Sequence, residues 1–179
     1  MLKTLALLIG AVIAALLLYA VSRPDRFHVE RSTTIQAPAE RLHPLINDLR
    51  HFNTWNPYAR KDPAMQGQYS GPAAGPGAVY DFQGNRDVGK GRIGITASSA
   101  PSSVTMQLDM FEPFEGRNVV TFSLVPEGNA TRVTWAMDGP SPFVARLIGI
   151  FIDMDHMIGR DFETGLSLLK SQAERAAAS

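Results

Sequence analysis

The stretch GNRDVGKGRIGITASS, Gly84 to Ser99, decides how this chain folds. Its first half lies one residue short of a phosphate-binding loop: a glycine, four intervening residues, then Gly89 and Lys90. Such a loop needs a hydroxyl after the lysine to hold magnesium, and a following helix whose N-terminal amides face the phosphates. Gly91 stands at the hydroxyl position, and the next residues alternate and carry β-branched side chains, the pattern of a strand. The stretch therefore joins two sheet strands. Gly84-Asn85 are hairpin-turn residues that tolerate positive φ, and Gly89 and Gly91 permit a bulge or a close backbone approach. No nucleotide is expected here.

On the C-terminal side the alternation continues through strands at Arg92–Ala97, Ser103–Met110, Asn118–Val125 and Thr131–Asp138. Val104, Met106, Leu108 and Met110 share one parity; so do Val120, Phe122 and Leu124, and Val133, Trp135 and Met137. This is an antiparallel sheet with one apolar face. GPSP breaks the pattern, and a long helix is predicted from near Pro142, with an apolar stripe of Phe143, Leu147, Phe151, Met154, Ile158, Phe162, Leu166, Leu169 and Ala173 at spacings of three and four. The helix is the one long element able to cover the sheet. Its first turns are apolar almost all round: Leu147 and Phe151 should pack on the sheet, whereas Val144, Ile148 and Ile152 face either a membrane surface or the loop around Trp55.

On the N-terminal side, Tyr80 and Phe82 share a face of a further strand, and a first strand carries Phe27, Val29 and Ile35 at one parity before Pro38. Leu42, Leu45, Ile46 and Leu49 then have helical spacing, and HFNTWNPYARKDPAMQG reads as a loop with room for one helical turn. Thr4 to Ser22 carry no charge, and as a helix span roughly 28 Å, close to a bilayer core. Lys3 and Arg23 bracket the run, and Tyr19 sits near its interfacial level. We read residues 1–23 as a membrane anchor and 24–179 as one domain. A cleaved signal ending in AVS and a buried soluble helix are the alternatives. Arg23, Arg26 and Arg31 against Lys3 place the domain on the cytoplasmic side by a narrow margin. The 17 basic and 17 acidic residues give no electrostatic case for nucleic acid, and the absence of cysteine excludes disulfides, thiol catalysis and Cys-ligated zinc.

The chain resembles the polyketide cyclase/dehydrase and lipid-transport branch of the SRPBCC superfamily, which includes START lipid-binding domains and the major birch-pollen allergen. The matching segments are VERSTTIQAPAERLHPLIND, FNTWNPYARKDP, YSG, GAVYDFQGNRDVGKGRI, FEPFEGRNVVTFSLVPEGNATRVTWAMDG and FETGLSLLK, spanning Phe27 to Lys170. The resemblance implies an α+β helix-grip fold: about seven curved antiparallel strands around the C-terminal helix, enclosing an apolar cavity. The N-terminal anchor is an addition to that pattern.

Residues that could carry chemistry are few. No Gly-x-Ser-x-Gly elbow is present. His156 and Asp153 share a helical face, but two ligands do not make a metal site, and neither metal nor cofactor is expected. Glu112 and Glu115 fit an exposed turn, and Asp138 lies off the inward parity. Arg31 has the inward parity of Phe27 and Val29; it either anchors an anionic headgroup at a cavity mouth or is turned to solvent by a bulge. The main positive signal is apolar and adaptable. Trp55, Tyr58, Tyr80, Phe82, Met106, Met110, Phe122, Trp135, Met137, Phe151 and Met154 lie on inferred inward faces or the adjoining loop. Trp55, Tyr58 and Tyr80 combine a ring with a polar tip. A filled core is the plain reading of each. With the resemblance, the set is expected to line a cavity for a hydrophobic small molecule or lipid. The alternatives are a polyketide cyclase or dehydratase, which would need an acid or base in the cavity, and a protein-interaction or chaperone-regulating domain.

Overall fold

A computed structural model describes residues 2–178, and side chains of residues 3–175. Met1 and Ser179, the outermost residues of the two expected segments, lie outside it. The elements run α1 (Leu2–Ser22), β1 (Arg26–Ile35), α2 (Ala39–Asn47), α3 (Leu49–Trp55), α4 (Pro57–Lys61), β2 (Gln66–Ser70), β3 (Val79–Gln83), β4 (Lys90–Ser99), β5 (Ser103–Glu112), β6 (Gly116–Glu127), β7 (Ala130–Pro140), α5 (Phe143–Ile148) and α6 (Met154–Ala178). The strands form one seven-stranded antiparallel sheet in the order β1-β7-β6-β5-β4-β3-β2.

The alternating residues produce the expected single apolar face. Val104, Met106, Val120, Phe122, Leu124, Val133, Trp135 and Met137 are all buried, as are Ile158, Phe162, Leu166, Leu169 and Ala173 on the facing side of α6. Each of the valine, leucine, isoleucine, phenylalanine and methionine side chains among them contributes about 1.5–3 kcal/mol of apolar burial. α6 packs mainly along β1, at one edge of the sheet, and α2 and α3 cover the middle.

Three local expectations are corrected. The final helix is interrupted: α5 ends at Gly149, and Asp153 restarts the helix by accepting a hydrogen bond from the His156 amide at 2.9 Å. Phe151 and Met154 consequently fall outside the sheet-facing stripe, at 75% and 41% exposure. The segment expected to be a loop holds α3, α4 and β2. Asp48 caps α3 through the Arg50 amide, and Asn56 caps α4 through Tyr58, with Pro57 in its first turn. In the GNRDVGKG turn, positive φ falls at Gly89 (+77°) and at neither Gly84 nor Asn85. The Asn85 side chain organises that turn instead, accepting from the amides of Asp87 and Val88 at 2.9 and 3.2 Å. The strand β4 follows, with a register shift at Lys90/Gly91.

α1 is long and apolar enough to cross a bilayer, and its side chains are nearly all exposed. Its end is fixed to α5. Arg146 Nη1 donates to the carbonyls of Val21 (3.3 Å) and Arg23 (3.1 Å), and Arg23 Nη1 donates to Gly149 O at 3.2 Å.

Candidate functional site

The antiparallel order brings the start of β1, β4 and β6 and the finish of β3, β5 and β7 to one end of the sheet. α1 enters the domain at this same end, through Arg23 and Asp25, whose carbonyl accepts from the Ser141 amide at 2.7 Å. The helix-facing side of the sheet is concave, and its last inward residues at this end are Phe27, Phe82, Gly91, Met110, Gly139 and the half-buried Asn118. Gly91 lets two side chains lie flat on the sheet: a Cβ there would come within 2.7 Å of Phe82 Cζ and 3.2 Å of Met110 Sδ. Gly139 does the same for Asn118 and Phe27: a Cβ there would come within 2.6 Å of Phe27 Cε1 and closer still to Asn118 Oδ1. Because α6 follows β1, the β3–β5 part of this row is left partly open. Phe82, Leu108 and Met110 are half-buried apolar side chains on the concave face.

Deeper along the face the space is filled by rings. Trp135 stacks on Phe162 with centroids 4.3 Å apart and planes at 11°. Trp55 meets Phe52, Phe122 and Trp135 edge to face at 4.8, 5.8 and 5.7 Å. The two indoles differ in their polar ends. Trp55 Nε1 donates to Leu45 O at 2.9 Å, satisfying a carbonyl left over in the last turn of α2. Trp135 Nε1 is buried without a hydrogen-bond partner.

The charges around the face are engaged with each other. Arg31 does face α6, with no bulge in β1. Its Nη2 donates to Asp155 Oδ2 at 2.8 Å and its Nε to Glu163 Oε1 at 3.0 Å, while Nη1 donates to Glu30 O at 2.7 Å. The guanidinium therefore pins the first turns of α6 and is fully occupied in doing so. Its bond holds the Asp155 carboxyl below the usual carboxylate value. Tyr58, on α4, lies half-buried beside Asp161, with Lys61 Nζ 4.9 Å from its ring centroid and 2.7 Å from Asp161 Oδ2. Burial first and then the Asp161 charge push its phenol well above the ordinary range, so it is a neutral hydrogen-bond donor. Burial, and then Tyr69, also raise Tyr80.

The sequence-predicted residues thus separate into groups. Trp55, Met106, Phe122 and Trp135 lie in the filled middle, with Met137 and Tyr80 at its margin, all buried. Phe82 and Met110 come together over Gly91 at the open end. Tyr58 sits apart with Asp161, and Phe151 and Met154 lie outside the grip. Phe52 completes the ring cluster and was not singled out by the sequence, although it precedes Trp55 by three residues in one helix. Tyr69, also missed, packs on Tyr80 at 4.5 Å from an edge strand too short to show alternation.

A cleft of about 200 Å³ opens at the opposite end of the sheet, between Leu49 and Arg50 of α3 and Tyr69, Pro72 and Ala78. It is smaller than the roughly 300–1,000 Å³ of ordinary ligand pockets. Among the described residues, no group of three or more His, Asp or Glu is placed to hold a metal ion.

A family model described as polyketide cyclase / dehydrase and lipid transport matches residues 26–174. No curated protein matches the sequence. Solved structures do. Ara h 8.0201 superposes with a TM-score of 0.61 at 12% identity, covering 84% of this chain and 99% of that one. A protein of Nitrosospira multiformis gives 0.62 at 17% identity, covering 86% and 100%. A protein of Thermus thermophilus gives 0.60 at 19% identity, also covering 86% and 100%. At these identities the likeness is one of fold, and the fold is the helix grip. Sheet order, grip helix and the matched span together make the chain a member of the polyketide cyclase/dehydrase and lipid-transport family of the SRPBCC superfamily.

Proposed function

We propose that the chain is a membrane-anchored domain that takes up a hydrophobic small molecule or lipid on its concave face, through the end beside α1. Family membership supports hydrophobic ligand binding in general. The observation that carries the finer reading is the half-open row of Phe82, Leu108 and Met110, which lies at the same end of the sheet as the junction with α1. Residues 1–23 form the anchor and 24–179 the binding domain. At 21 residues, α1 spans about 31 Å as a helix, enough for a single pass. The basic flank of Arg23, Arg26 and Arg31 favours a cytoplasmic domain.

Chemistry of the face favours binding over catalysis. Among the described sheet residues, Arg31 is the one charged side chain on the concave side, and its donors are spent on Asp155, Glu163 and Glu30. Trp135 Nε1 offers a single hydrogen bond to a ligand that reaches the ring cluster, which suits an apolar body bearing one acceptor oxygen. The orphan donor, a wide ring cluster and a mouth whose polar side chain is Asn118 describe a site that recognises shape and few polar atoms.

The test is native mass spectrometry of the full chain released from detergent, with extraction and identification of what co-purifies. The expected result is an apolar adduct that Met110→Glu and Phe82→Ser remove, with far-UV circular dichroism unchanged. A chain that carries no adduct, and gains none on addition of lipid extracts, would refute the reading.

A further inference from the structure

Residues 143–154, FVARLIGIFIDM, carry only Arg146 and Asp153 as charges. A surface helix ordinarily turns one face to the protein, yet no residue of α5 is buried. Phe143, Val144, Ile148, Phe151 and Ile152 are 37%, 63%, 38%, 75% and 46% exposed, forming a continuous apolar surface. Large apolar patches of this kind on a soluble surface mark a partner.

The partner is indicated by what holds α5 in place. Arg146 bends back to the last carbonyls of α1, those of Val21 and Arg23, and Arg23 returns a bond to Gly149. A cation at a helix C-terminus complements the helix dipole, so the two links fix α5 to the point where α1 ends. If α1 crosses the bilayer, that point is the lipid–water boundary. A second apolar projection lies at the same end of the sheet. The end of β5 and the β5–β6 turn expose Phe111 at 46% and Phe114 at 75%.

We propose that α5 and its following loop lie in the plane of the bilayer interface as a second membrane contact, with the Phe114 turn as a third. The bound partner is the lipid surface itself, which accepts apolar side chains from an in-plane helix to a depth of about 5–10 Å. The mouth at Phe82 and Met110 then opens onto lipid between these contacts. This rests on α1 being a retained span, the reading given above.

The chain has no cysteine, so single substitutions carry a unique label. Val144→Cys, Phe151→Cys and Phe114→Cys are each labelled with an environment-sensitive fluorophore in the full chain. Asn129→Cys, in the exposed β6–β7 turn at the far end, is the reference. Each protein is reconstituted into phosphatidylcholine/phosphatidylglycerol vesicles containing a phospholipid with a nitroxide near its carbonyl. The expected result is a blue shift and nitroxide quenching at 144, 151 and 114, and neither at 129. Labels at 144 and 151 that behave like the one at 129 overturn the proposal, as does a chain that fails to float with the vesicles. Ligand uptake is read separately. Quenched labels without any adduct leave the membrane contact standing and remove the ligand reading. An adduct with water-exposed labels does the reverse.

Discussion

The two tryptophans of the ring cluster provide a matched pair. Trp55 and Trp135 are 0% and 3% exposed, touch each other and share Phe52 and Phe122, with Trp135 also stacked on Phe162, but only Trp55 Nε1 has a partner, the carbonyl of Leu45. Replacing either with Phe shrinks a buried ring in a close-packed environment. That costs a fraction of the roughly 3–5 kcal/mol of full truncation to Ala at each site. The polar terms then separate them. Trp55→Phe leaves Leu45 O without its donor, a penalty of about 1–3 kcal/mol. Trp135→Phe removes a buried donor that bonds nothing, and so carries no such penalty. Trp55→Phe should therefore be the more destabilising by about 1–3 kcal/mol. At about 2–4 °C per kcal/mol for a chain of this size, the gap in Tm is about 2–12 °C. Thermal unfolding followed by circular dichroism reads it, on protein from which bound molecules have been stripped. Equal losses, or a larger loss for Trp135→Phe, would show that Trp135 Nε1 has a partner in solution, and the orphan-donor argument for an acceptor-bearing ligand would fail.

Lys90→Ala, in the turn that mimics a phosphate loop, should change stability by no more than about 0.5 kcal/mol, and isothermal titration should detect no magnesium-dependent ATP binding in the parent or the variant. His28 Nδ1 lies 2.9 Å from Asp138 Oδ1, and that bond raises its pKa above 6.5; its contribution is complete below 6.5 and is lost as pH rises through the higher folded value. A His28 imidazole that titrates at or below 6.5 by NMR contradicts the contact. Asp155 behaves in the opposite sense. Arg31 holds it below 3.8, so the α6 anchor is intact above that pH and loosens as pH falls through the lower folded value, which hydrogen exchange at the α6 N-terminus will show. Both groups are largely exposed, so site-specific readouts are sharper here than global stability.

Strands β5, β6 and β7 were legible because each keeps one apolar parity along most of its length, a local property that needs no knowledge of neighbours. Extra residues at the strand ends, such as Glu112 and Pro140, are held by ladder hydrogen bonds and leave no hydrophobic trace. The break between α5 and α6 was hidden for a related reason. Spacings of three and four ran straight through Gly149 and Asp153, although a glycine followed by an aspartate cap is a stop-and-start signal. The same kind of signal marked α3 and α4, where Asp48 and Asn56-Pro57 stand at the N-termini of seven- and five-residue helices too short to display a stripe. β2 has five residues, with two glutamines and a glycine, and is an edge strand defined by its pairing with β3 alone.

The site was legible only as a face. Parity correctly turns Phe82, Met110, Phe122 and Trp135 to one side of the sheet, but which of them stays accessible depends on where α6 crosses that side. That is a tertiary fact, and Arg31 is central to it. Its guanidinium sits against Gly159, where a Cβ would come within 2.7 Å of Nε and closer still to Nη2, so a side chain at that turn would displace the guanidinium from this position. Asp155 precedes Gly159 by one helical turn and Glu163 follows it by another, and both close on the same guanidinium. The inward arginine, which from sequence alone suggested a headgroup ligand, is a fastening that draws the start of α6 to the β1 edge. Drawing the helix there is what leaves Phe82, Leu108 and Met110 half-buried at the end of the sheet where α1 joins.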